Sequence, residues 1–218
     1  MVKLGGSLAE SMRLSSILDI VARARVPVVI VPGGGAFADA VRRAQSDYDF
    51  CDAAAHQMAL LAMHQTGMML AALNPRLKTV ETVPELRRAI SDGRIPVWLP
   101  MRLTKRDRQI NADWRTTSDG LAARLAERLG RSPVLLVKSC RIEPGIPVAA
   151  LALEGVVDPT FADIVDRARL SWKVLGSGDE AELMTFLDAG VRSANVRRMI
   201  PRDSNRRVAP ARAIARRR

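Results

Sequence analysis

Val28-Val29-Ile30-Val31-Pro32-Gly33-Gly34-Gly35 is the stretch on which the fold turns. Four consecutive β-branched residues without polar alternation read as a strand buried on both faces, as in a parallel sheet. Pro32 and the three glycines close that strand, and a helix opens near Ala36 and runs to about Gln45. The start of the chain repeats the arrangement. Met1–Leu4 is a short apolar entry, Gly5-Gly6 break it, and Ser7 follows. A helical pattern then runs from about Leu8 to Arg25, with Leu14, Ile17, Leu18 and Val21 on one face, until Pro27 ends it. Each unit is a strand, a glycine turn and a helix.

Outward from these two units the alternation continues. Asp52 can cap a long Met-rich helix over Ala53–Asn74. A short strand is expected at Leu77–Val80, a helix at Val83–Asp92 stopped by Gly93, and a strand at Ile95–Leu99 ended by Pro100. Arg102–Arg108 reads as a charged loop, Thr117–Leu129 as a helix stopped by Gly130, and Val134–Val137 as a fourth apolar strand. Ala149–Leu153 and Val174–Leu175 are weaker strand candidates, and Glu180–Ala189 is a last helix. Strands alternating with helices predict an α/β three-layer αβα sandwich, a mostly parallel sheet with helices on both faces. Ligands of such sheets bind beyond the carboxyl ends of the strands, where both glycine turns fall.

Bulk properties narrow the function classes. With 48% hydrophobic residues the chain of 218 has enough apolar material for one core, which excludes disorder of the whole. The net charge of +11 suggests nucleic acid until it is located. Residues 192–218 hold ten arginines against one acid, Asp203, so the rest of the chain carries only about +2. The expected organisation is a domain at 1–191 and an Arg-rich, disordered tail at 192–218. The tail lacks interleaved aromatics, so a solvated tail is preferred over a nucleic-acid-binding one. Cys51 and Cys140 form no CxxC pair, and with His56 and His64 they make no zinc pattern, so no metal site is expected. Reduced cysteines, no signal peptide and no apolar run of membrane-spanning length point to a cytoplasmic protein without a membrane partner. The first strand begins one residue from Met1, which leaves open whether the chain starts further upstream.

The chemistry is concentrated in Lys3-Leu4-Gly5-Gly6-Ser7 and Pro32-Gly33-Gly34-Gly35. A phosphate needs backbone N–H groups close by, and a Cβ blocks that approach. A helix opening beyond each turn adds a positive dipole end, and Lys3 adds a full charge. Phosphoryl transfer needs little besides positioning and neutralisation of oxygen charge. Each glycine set alone is equally well a tight strand-to-helix turn. Neither is a GxxxxGK[ST] loop, and GxGxxG is absent.

The combination resembles the amino acid kinase superfamily, which includes acetylglutamate, aspartate, carbamate and uridylate kinases. Its members open with a strand and Lys-x-Gly-Gly-Ser, continue with an apolar strand and a Gly-Gly-Gly turn, and carry a later Thr-x-Asp before a helix, here Thr117-Ser118-Asp119. Within the superfamily the segments FADAVRRAQ (37–45), DAAAHQMALLAM (52–63), PVWLP (96–100) and DWRTTSDGLAARLA (113–126) resemble kinases of the methanofuran pathway, which act on an aminomethylfuran-methyl phosphate.

The resemblance implies the amino acid kinase fold, ATP with Mg²⁺, a small phosphate or carboxylate acceptor, and a homo-oligomer. It implies that Lys3 neutralises the transferring phosphoryl group and that Asp119 orients the catalytic lysines instead of acting as a base. Gly5, Gly6 and Ser7 would hold the ATP phosphates, with Lys138 as a second cation on the nucleotide side or merely a surface lysine. Gly33, Gly34 and Gly35 would face the acceptor. Asp52 and His56 share a helical face and would touch the acceptor, unless His56 is a satisfied core residue. Arg102, Lys105, Arg106 and Arg108 would clamp a phosphorylated acceptor or form a solvated loop. Trp98 and Trp114 would stack on a flat acceptor or simply pack. Met58, Met63, Met68 and Met69 would pack against a helix of the same subunit or of a second one. Three readings stay open: a kinase making a diphosphate from a phosphate monoester, a kinase for a carboxylate or nucleoside monophosphate, and a non-catalytic nucleotide-binding protein of the same fold.

Overall fold

The computed structural model describes residues 1–189; the Arg-rich segment expected at 192–218 lies outside the described residues. Among the described residues six strands, β1 (Val2–Leu4), β2 (Ile30–Pro32), β3 (Leu77–Val80), β4 (Ile95–Trp98), β5 (Val134–Val137) and β6 (Trp172–Leu175), form one sheet in the order β3-β4-β2-β1-β5-β6. Every neighbouring pair is parallel. β1 is central: Lys3 stands opposite Val31 of β2 and Leu136 of β5.

Alternate residues of each strand enter different layers, which makes the sheet the middle of a sandwich. Val134 and Leu136 join Val31, Val80 and Trp98 in one core, covered by α4 (Val83–Ser91), α6 (Ser118–Arg128), α7 (Val148–Leu153) and α8 (Pro159–Ala168). Leu135 and Val137 join Val2, Leu4, Ile30 and Val97 in the other, covered by α1 (Leu14–Ala22) and α9 (Glu180–Ala189), with Leu70 of α3 (Asp52–Leu73). The remaining helices, α2 (Gly35–Tyr48) and the one-turn α5 (Met101–Thr104), follow β2 and β4.

Two expectations are corrected, and one helix was not anticipated. The single helix predicted from Leu8 to Arg25 is a 3-10 turn at Gly6–Glu10 followed by α1, because Ser11 takes an extended backbone and its hydroxyl bonds the Leu8 carbonyl. Ala149–Leu153, read as a weak strand, is part of helix α7. Ala and Leu favour helix, and the buried Val148 and Leu151 recur at a spacing of three, not two. Helix α8 had no expectation at all, although Asp158 caps it and Pro159 occupies its first turn. Its Phe161, Ile164, Val165 and Ala168 form one buried stripe.

His64 of α3 accepts a hydrogen bond at Nε2 from the Met101 N–H, 3.1 Å away, and so holds the first turn of α5. That bond requires a neutral ring. Burial lowers the pKa of both His64 and His56 from the ordinary 6.5. The unfolded chain therefore binds more protons below that value. Stability is fully present above about pH 6.5 and is lost as pH falls towards the depressed folded values. Urea midpoints measured from about pH 8 to pH 5 should decline on the acid side, and His64→Gln should flatten part of the decline. Midpoints that stay level to pH 5 would refute the assignment.

Candidate active site

The carboxyl ends of β1, β2 and β5 open into a cleft of about 430 Å³. The two glycine turns meet there. A Cβ on Gly6 would lie 2.8 Å from Gly35 Cα, and one on Gly33 would lie 2.7 Å from Gly6 Cα, closer than side-chain carbons come to backbone. Hydrogen bonds fix both turns to the sheet: Gly33 N–H donates to the Leu4 carbonyl at 2.8 Å, and Gly5 N–H to the Val137 carbonyl at 2.9 Å. Gly34 precedes α2 and Gly35 takes a left-handed backbone at φ 53°. The Thr66 hydroxyl, from α3, reaches the Gly34 carbonyl at 3.3 Å.

Lys3 points from β1 into this space and is almost wholly buried. Its Nζ lies 2.9 Å from Asp119 Oδ1, while Lys138 Nζ donates to Asp119 Oδ2 at 2.7 Å. One carboxylate at the start of α6 thus bridges two ammoniums from the neighbouring strands β1 and β5. Burial raises the Asp119 pKa, but the charges of Lys3 and Lys138 outweigh it and the carboxyl lies below its ordinary value. Burial, then the charge of Lys3, lowers the Lys138 pKa against the pull of Asp119. Lys3 meets the buried Oδ1 as a close ion pair. Such a bridge pins two positive charges side by side without neutralising both, which suits a site that gathers phosphate oxygens.

Beyond α2 the cleft is lined by Arg42, His56 and Trp114. The guanidinium of Arg42 lies 4.4 Å from the centre of the Trp114 ring. Trp114 Nε1 donates to Gln45 Oε1 at 2.6 Å, and Gln45 Nε2 donates to Asp52 Oδ1 at 2.7 Å. His56 is buried, with Nδ1 3.2 Å from the Asp113 carbonyl. A carbonyl only accepts, so Nδ1 carries the proton and Nε2 is left as an acceptor. Ser7 is exposed at the rim, its hydroxyl 2.7 Å from that of Ser139.

Of the residues singled out in the sequence, Lys3, Gly5, Gly6, Ser7, Gly34, Gly35, His56, Asp119 and Lys138 line one cleft. Gly33 supports it from behind. Asp52 is exposed and touches the cleft wall only through Gln45. Arg102 is exposed on α5, near enough to Glu85 for its charge to be felt there, and lies outside the lining. Lys105, Arg106 and Arg108 are exposed as well. Trp98 is buried in the core instead of facing the cleft. Arg42, Gln45, Thr117 and Asp158 were not singled out as site residues. Arg42 and Gln45 sit within the quoted 37–45 segment, whereas no local signal marks Asp158 beyond its place as a helix cap.

Comparisons with known proteins agree with this fold. The model of the amino acid kinase family matches residues 1–140. A 5-(aminomethyl)furan-3-yl methyl phosphate kinase from Methanocaldococcus jannaschii is 27% identical over 137 residues, 62% of this chain and 63% of that protein. The chain thus aligns with a little under two thirds of that relative's length. The uridylate kinase of Archaeoglobus fulgidus superposes with a TM-score of 0.60 at 19% identity, covering 85% of this chain and 94% of the other. An isopentenyl phosphate kinase from T. acidophilum gives 0.52 at 14% identity, covering 88% and 95%. At these identities the two structures establish the fold alone.

Proposed function

We propose, for a chain that belongs to the amino acid kinase family, that it transfers the γ-phosphoryl group of ATP to a small phosphate monoester and makes a diphosphate, in one-carbon cofactor synthesis of the methanofuran type. The observation that carries this reading is the Lys3–Asp119–Lys138 bridge beside the paired glycine turns. The name of the M. jannaschii relative, a kinase whose acceptor is itself a phosphate ester, supports the choice of acceptor.

In this mechanism ATP is a substrate and supplies the phosphoryl group. The backbone N–H of Gly6, on the turn that Gly5 anchors to the sheet, holds its phosphates together with Ser7 and Lys138. Lys3 neutralises the oxygens of the group in transfer. Gly34 and Gly35, backed by Gly33, form the acceptor side, where His56 Nε2 and the Arg42 guanidinium face the incoming molecule and Trp114 offers a flat wall. An acceptor oxygen attacks the γ-phosphorus as the bond to ADP breaks. A phosphate monoester is already ionised near neutral pH, so no base has to remove a proton. Asp119 therefore serves to hold both ammoniums. Asp52 acts at a distance, by fixing Gln45 against Trp114, and Arg102 has no part.

Among the described residues no group of three or more His, Cys, Asp or Glu side chains is arranged for a metal ion. Mg²⁺ would instead be held by the nucleotide's own phosphate oxygens, where it would offset their charge. No helix among the described residues is long and apolar enough to cross a membrane. A homo-oligomer belongs to the same proposal: Met63 is buried in the core, whereas Met58, Leu61 and Met68 of α3 remain exposed as a surface for a second copy.

The test is ADP release from a panel of acceptors. Aminomethylfuran-methyl phosphate should turn over at least about tenfold faster than UMP, glutamate or acetate, the margin a site fitted to one acceptor provides. Preference for UMP or a carboxylate would move the assignment to the corresponding kinase. ATP binding without ADP release from any acceptor would support a non-catalytic protein.

A further inference from the structure

We propose that Asp158 is a positioning residue for the Lys3–Asp119–Lys138 bridge, acting by locking the first turn of α6; the proposal rests on reading that bridge as the transfer site. Asp158 is buried, yet it belongs to the loop before α8, on the far side of α6 in sequence. Its Oδ2 accepts three hydrogen bonds, from Thr117 N–H at 2.9 Å, the Thr117 hydroxyl at 2.7 Å and Gly120 N–H at 2.8 Å. Its Oδ1 accepts from Phe161 N–H at 2.7 Å. One carboxylate therefore caps two helices.

Thr117 stands at the cap position of α6 but provides no side-chain cap itself. The free N–H groups of that helix end need an acceptor, and a residue 38 to 41 positions away supplies it. Asp119 lies between the two clamped residues, so the direction of its carboxylate follows from where Asp158 holds Thr117 and Gly120. Gly120 keeps the approach open, since a Cβ there would lie 2.7 Å from Asp158 Oδ1 and 3.0 Å from Thr160 Cβ. Three of the four donors are backbone N–H groups, which cannot accept. An amide in this position would turn an NH₂ group towards some of them and push the helix start away. The charged groups facing Asp158 are Asp119 and Lys138, whose ammonium feels its charge.

The experiment compares Asp158→Asn, Thr117→Val, Asp119→Asn and the double variant D119N/D158N in ADP-release kinetics. Asp158→Asn should lower kcat by about 100-fold with the KM for ATP within about threefold, the pattern of a lost transition-state alignment. Thr117→Val keeps every charge and removes one bond; it should lower kcat by about fivefold to tenfold. In the Asp119→Asn background, Asp158→Asn should cost less than about twofold more, because both act on one unit. Wild-type kcat in folded Asp158→Asn, or full multiplication of the two costs, overturns the proposal. If Asp158→Asn does not fold, wild-type kcat in Thr117→Val overturns it. NMR titration of the Lys138 side chain in the free protein needs no acceptor: Thr117→Val should lower its pKa, and an unmoved titration refutes the positioning role. Should the wild type release ADP with none of the acceptors, the transfer reading fails while this titration still judges Asp158.

Discussion

Lys3→Ala should reduce kcat by about 10³-fold, the scale at which a cation on a transferring phosphoryl group acts. The ammonium is buried against Asp119 and has no substitute, because Lys138 already occupies the other carboxylate oxygen. The cost to stability should be smaller than the roughly 3–5 kcal/mol of an uncompensated buried charge, since Asp119 keeps Lys138. ADP-release assays beside a thermal melt separate the two effects. A folded variant that retains turnover within about tenfold of wild type would remove Lys3 from the mechanism.

Gly33→Ala should be the most damaging single methyl in the molecule. The added carbon would face only backbone, with Gly6 Cα at 2.7 Å and Gly5 C at 3.0 Å, so no rotamer change relieves it. Overpacking of this kind costs up to about 3 kcal/mol. Separating the turns also displaces the Gly6 N–H from the phosphate cradle, and activity should fall by more than about 100-fold. Gly93→Ala is the matched control. Gly93 has φ 68° and open space around its missing Cβ, so the change strains the backbone by about 1 kcal/mol without touching the cleft. Equal loss of activity in both variants would mean that the damage is to folding alone.

What could be read from the chain was whatever is written locally. The β-branched runs, the glycines closing them and Lys3 beside the first turn define the central strands and the cleft, and both turns lie where that pattern places them. Asp119 was legible through Thr117-Ser118-Asp119. Lys138 was undecided, since a lysine after an apolar strand looks the same at a surface; only the pairing of β5 beside β1 brings it to Asp119. Asp158 was illegible because its partners lie far away in sequence. Helix α7 was misread because six apolar residues carry too short a pattern to separate a spacing of two from one of three. Asp52 and Arg102 illustrate the opposite failure: correct residue types near the site, turned to its outside by the helices that bear them.

The position of β1 has a consequence for how the chain comes to be folded. Its three residues precede both of their partners in sequence, pairing on one side with Ile30–Pro32 and on the other with Leu135–Val137. During synthesis this strand can gain its first neighbour early, but its second edge stays unpaired until Leu135–Val137 have followed. Contacts this far apart in sequence slow productive folding. Lys3 sits on this strand, so its ion pair with Asp119, and the bond of Lys138 to the same carboxylate, also await distant segments.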